Sequence, residues 1–188
     1  MQLPTHILAG ILIQKAFDWK HHHRLALGLT AVCAFLSHGV LDKLANLTYH
    51  RANPDFHSPI WVSYHAALVL VTILFLYWWW KPFKWGIFFA CLPDLDWVFI
   101  HAQEIFHFQI PFYRQPHLHH LVGRILDVFP FIGWLNRLPN YRNNPWAILP
   151  EVAVVAVLAA ALRCQGWRSQ SGPPRSAQRD GDGQGPRT

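Results

Sequence analysis

The chain has 188 residues, a formal charge of +6 and a pI near 9.6, with 52% hydrophobic and 15% aromatic residues. That length accommodates one domain, and the composition is too apolar for an ordinary water-soluble one. The basic residues flank apolar segments or fall in the tail rather than forming a stripe, which argues against nucleic acid and for a membrane-flanking role.

The first apolar segment, Leu3 to Phe17, is short for a full span. It lacks the basic start and small-residue cleavage site of a signal peptide and is expected to stay in the mature protein. The second, Arg24 to Leu44, is apolar until its end. From Ile60 to Trp80 there is no Asp, Glu, Lys or Arg, over the roughly 20 residues that cross a hydrocarbon core. After the basic link Lys81-Pro82-Phe83-Lys84 a fourth segment runs from Trp85 to Ile100, and a fifth from Pro145 to Leu162. Short links force antiparallel neighbours. The expected fold is therefore all-α: a polytopic transmembrane bundle of four to five membrane helices spanning residues 1–163. Within the aromatic, Pro- and His-rich stretch His101 to Asn144, the piece Leu118 to Phe129 has the apolar spacing of an interfacial helix. Residues 164–188 form a polar, Gly/Pro/Ser-rich tail expected to be disordered. Cys33, Cys91 and Cys164 stand singly and read as packing residues.

Threading the segments back and forth puts Lys20, Arg24, Lys81, Lys84, Arg163 and Arg168 on one side, which the positive-inside rule makes cytoplasmic. The expected location is the cell (inner) membrane. Trp61, Trp78, Trp79, Trp80, Trp85, Trp97 and Trp146 fall near span ends, as an aromatic belt does.

The informative residues are the ionisable ones inside apolar segments. Ser37-His38-Gly39-Val40-Leu41-Asp42 places His38 and Asp42 one helical turn apart, on one face. Leu92-Pro93-Asp94-Leu95-Asp96 sets two carboxylates together near lipid, which is expensive unless a cation offsets their charge. The same threading brings His6, His38, Asp42, His65, Asp94 and Asp96 to similar depth on the non-cytoplasmic side, together with His117, His119 and His120. The competing readings are helix–helix hydrogen bonding for His38 and Asp42, capping for Asp94, Asp96 and His6, packing for His65, and an interfacial position for Glu151 and for His21-His22-His23.

Imidazole and carboxylate ligation without thiolate suits Zn²⁺, Mn²⁺ or Fe²⁺, as one ion or two, and such a site lowers the pKa of a bound water for attack on an ester or phosphoester. The expected ligands are His6, His38, Asp42, His65, Asp94, Asp96, His117, His119 and His120. Asp94, Asp96 and His120 are the candidates for proton transfer, with Arg114 and Arg124 steadying a phosphate oxygen. Beside a bilayer the nearest substrate is a lipid or lipid-linked phosphate. The alternatives are a metal-ion or proton carrier and a non-enzymatic structural membrane protein.

Thr5-His6, Ser37-His38 with Asp42, Leu92-Pro93-Asp94-Leu95-Asp96 and the His117 to His120 cluster together resemble the bacterial membrane-bound metal-dependent hydrolases of the YdjM-like family. The resemblance covers scattered motifs from residue 5 to about 120. It implies a small helical membrane protein, with metal roles for His6, His38, Asp42, Asp94 and Asp96, and for His117 and His120. In that family SHxxxD follows LPDxD, whereas here it precedes it, and the family's His-Arg…Thr-His element is represented only by His117-Leu118-His119-His120.

Overall fold

The computed structural model describes residues 2–17, 19, 22–51, 55–111, 113 and 115–170, and every regular element among them is helical. The principal helices are α1 (Leu3–Ala16), α2 (His23–Leu44), α3 (Pro59–Cys91), α4 (Leu95–Ile105), α5 (His117–Asp127) and α6 (Ile148–Gln170). Three stretches are long and apolar enough to cross a membrane: His23–Leu47, Pro59–Ile105 and Pro145–Cys164. Their outward side chains include Val62, Val69, Leu70, Ile73 and Tyr77, an apolar surface suited to lipid.

Local signals set the helix starts. Pro4 and Pro59 occupy first-turn positions, where the missing N–H costs nothing, and the Ser58 hydroxyl accepts from the Trp61 N–H at 3.4 Å. The segments expected at 60–80 and 85–100 meet where the sequence divides them: the helical stretch α3 is broken at Phe83 (φ −125°, ψ 24°), after Pro82, into two limbs. A second break is the 3₁₀ turn Leu92–Asp94, which passes the chain into α4.

The break at Phe83 turns the chain back on itself. Leu76 and Trp80 line the same pocket as Phe88, Leu92 and Leu95. In a straight helix Leu76 and Leu95 would be about 28 Å apart. The two limbs of α3 close around α1, where Ile7 and Ile11 pack with Ile87 and with Phe75, Leu76 and Trp79. Contact between α1 and the second limb is backbone to backbone. A Cβ on Gly10 would lie 2.3 Å from the Gly86 carbonyl oxygen, and one on Gly86 2.1 Å from that of Gly10.

The break also frees a rung of the helix ladder, the Pro82 carbonyl and the Gly86 N–H. The buried carboxamide of Gln14 fills it, its Nε2 donating to Pro82 O at 3.1 Å and its Oε1 accepting from Gly86 N at 2.7 Å.

Helix α5 forms where apolar spacing placed a helix, but it is not a lone interfacial element. Val122 and Leu126 are buried with Ile132 and Leu135 of the 3₁₀ helix Pro130–Arg137, against Phe35, Leu36 and Val40 of α2. Finally, α6 runs past Arg163 to Gln170, and residues 171–188 of the expected tail lie outside the described residues. No proline interrupts the chain between Pro150 and Pro173, and nothing forces the helix to stop at residue 163.

Candidate metal centre

Four elements deliver side chains to two overlapping groups that share His38. The first turn of α1 carries His6, the last two turns of α2 carry His38 and Asp42, the turn Leu92–Asp94 carries Asp94, and the first turn of α5 carries His119. Close packing at glycines sets the approach of two of them. Gly10 lets α1 come down on Gly86, and Gly39 admits α5, since a Cβ there would lie 2.6 Å from Leu126.

Asp42 is the hub. Its Oδ1 lies 3.4 Å from His6 Nε2, and its Oδ2 lies 3.0 Å from His38 Nε2 and 3.5 Å from His119 Nε2. Asp94 Oδ1 lies 3.8 Å from His38 Nε2 and 3.9 Å from His119 Nε2. Donors held about 2.1 Å from a common ion at tetrahedral angles stand about 3.4 Å apart. The observed separations, 3.0–3.9 Å, bracket that figure. Two overlapping triads result, His6–His38–Asp42 and His38–Asp94–His119.

The outer shell fixes which nitrogen faces the centre. His38 is fully buried with Nδ1 2.8 Å from the Ala90 carbonyl oxygen, so Nδ1 carries the proton and Nε2 presents a lone pair. His119 Nδ1 lies 3.2 Å from Asp96 Oδ2, the carboxylate–imidazole pairing that orients metal-bound histidines. Both Nε2 atoms then face inward, 3.3 Å from each other and beside two carboxylates. Positive charge, on an imidazole or on a bound cation, favours that arrangement. His119 itself registers the demand: burial works against its charged form, yet hydrogen bonds to Asp42 and Asp96 hold its pKa above the ordinary 6.5. Among the described residues the ion-pairing partners of Asp94 and Asp96 are histidines. A divalent ion fits this donor set.

Several predicted site residues fall elsewhere. Asp96, expected as a ligand, is buried behind His119, where it accepts from the His119 backbone N–H at 2.9 Å and from the Tyr113 hydroxyl. Two residues beyond Asp94, it has rotated to the far side of a helical turn and touches the cluster through His119. His65, with Nδ1 2.8 Å from the Trp61 carbonyl oxygen and its ring stacked on Trp61, sits outside both triads. In the His117 to His120 cluster only His119 enters a triad, because α5 turns Val122 and Leu126 toward α2 and its neighbours outward. His117 meets the Tyr113 ring edge-on and His120 is exposed, so neither joins the centre. Arg124 is exposed on α5, and Arg114 lies outside the described residues.

Sequence reading missed three supports: the Ala90 carbonyl, Tyr113, and Trp97, whose indole Nε1 donates to His119 Nε2 at 3.3 Å. Burial and the adjacent Asp96 carboxylate push the Tyr113 phenol up to about 12, which keeps it a donor. Trp97 carried a signal, an indole one residue after LPDLD, that its position near a span end disguised. Comparison with family models, curated proteins and solved structures returned no match.

Proposed function

We propose that this protein is a membrane-embedded metal-dependent hydrolase acting on a phosphoester or ester of a lipid-type substrate. The observation that carries the reading is the convergence of His6, His38, Asp42, Asp94 and His119 at ligand-to-ligand spacing, with the Nδ1 atoms of His38 and His119 tied back so that both Nε2 atoms face inward. The same motifs support membership of the YdjM-like hydrolases. The finer membrane reading is four to five membrane helices in a cell (inner) membrane, the centre lying near the non-cytoplasmic face and α5 along the interface.

One or two ions of Zn²⁺, Mn²⁺ or Fe²⁺ held by these residues supply Lewis acidity and an activated water. The chain's own part is to bind, orient and move protons. Asp42 and Asp94 are about one-third exposed whereas His6 and His38 are buried, so substrate approaches from the carboxylate side. Of the two Asp94 oxygens Oδ1 faces His38 and His119, which would leave Oδ2 to take a proton from a bound water.

Elemental analysis of the detergent-purified protein comes first, with metal expected near one or two equivalents. Protein loaded with Mn²⁺ or Zn²⁺ should then cleave a phospholipid or a generic phosphodiester, with loss in His38→Ala and Asp94→Ala. Stoichiometric metal without cleavage of any ester class would leave a metal centre and remove the hydrolase. Uptake of metal into liposomes would replace it with a carrier.

A further inference from the structure

At the end of α1 remote from His6 lies a cavity of about 520 Å³ where the first two helices and the turn of α3 meet. Lys15, Lys81 and Lys84 line it with His23, Trp19 and Trp85. Lys15 is nine residues from His6, about 14 Å along the helix, so the cavity is separate from the metal centre. Among the described residues no carboxylate lines it, and none of its three lysines forms an ion pair. Lys43, by contrast, is neutralised by Asp127 at 3.0 Å. The aromatic walls are held in place. Trp19 Nε1 donates to the Gln14 carbonyl at 2.9 Å and meets His23 edge-on, and Lys84 Nζ stands 5.3 Å from the Trp85 ring centre.

We propose that this cavity binds a phosphate-bearing anion, the headgroup of an anionic phospholipid. Three ammonium groups around one concavity, without an ion pair among the described residues, attract a phosphate, and indole rings suit the glycerol and ester region below it. Position selects the lipid over a soluble anion. Within a few residues along the chain of its lining residues His23 and Lys81 lie the exposed apolar side chains of Leu25, Leu29, Trp78 and Trp80, and Trp85 of the lining is itself exposed. The site needs no metal and does not depend on the hydrolase reading.

The test is native mass spectrometry of the full chain with equimolar phosphatidylglycerol and phosphatidylcholine. Wild type should retain the anionic lipid preferentially, and Lys15→Gln/Lys81→Gln/Lys84→Gln should lose that preference while metal content stays unchanged. Each lysine is expected to contribute about fivefold to retention at low salt. Should the triple variant fail to fold, Lys81→Gln alone and wild type at raised salt must each lower the ratio. Equal retention of the two lipids by wild type, or an unchanged preference in the folded triple variant, would overturn the site. Inorganic phosphate that raises the melting temperature while neither lipid is preferred would overturn its assignment to a lipid.

Discussion

Replacing Asp96 by Asn separates a residue that orients a ligand from one that is a ligand. In the native arrangement Asp96 accepts from the His119 N–H at 2.9 Å, from His119 Nδ1 at 3.2 Å and from the Tyr113 hydroxyl. A carboxamide keeps one acceptor oxygen: with it on His119 the NH₂ group faces the Tyr113 hydroxyl, which must turn to accept, and the other way round it opposes the two His119 donors. It also removes the negative charge behind the imidazole that makes Nε2 a better donor. Loss of such an outer carboxylate weakens metal binding by about 10–100-fold, roughly 1.4–2.8 kcal/mol. Competition against a chromophoric chelator, with Zn²⁺ and detergent-purified protein, measures this directly. Stoichiometry should be preserved and the dissociation constant raised, whereas Asp42→Asn, which strips the contact shared by three histidines, should abolish tight binding. Unchanged affinity in Asp96→Asn would refute the orienting role. A loss as complete as that of Asp42→Asn would mean that Asp96 is itself a ligand.

Three further outcomes follow from the geometry. Gly10→Ala puts a methyl group 2.3 Å from a backbone oxygen that no rotamer change can relieve, so α1 must lift from α3; a stability loss of about 1–3 kcal/mol and reduced metal content are expected from thermal melting and elemental analysis. Gln14→Leu strands the Pro82 carbonyl and Gly86 N–H at the fold-back, at about 1–3 kcal/mol for each unsatisfied group, and should lower the melting temperature while the folded fraction still binds metal. Because the pKa of His119 is raised above 6.5, protons compete with metal from a higher pH than for a free imidazole. Affinity should fall as pH drops through that raised value, and the fall should move to lower pH in Asp96→Asn. In the metal-free protein the same shift stabilises the fold fully below 6.5, a contribution lost as pH rises through the raised value, which melting across that window will show.

Hydropathy is a local property, and the linear chain therefore determined the helices. The polarity of each segment set where α1, α2 and α6 begin, and antiparallel threading was enough to bring His6, His38, Asp42 and Asp94 to one level. The one-turn spacing of His38 and Asp42 settled that they share a face. Rotation of one helix against another depends on contacts remote in sequence, and only the tertiary structure decided it. Whether His117, His119 or His120 faces the centre follows from how Val122 and Leu126 seat against Gly39 and its neighbours on α2. Whether Asp94 or Asp96 does so follows from a 3₁₀ turn that spacing does not announce. The fold-back at Phe83 rests on Gln14, a residue that sequence alone marks only as polar, because its role exists only once the broken rung lies beside it.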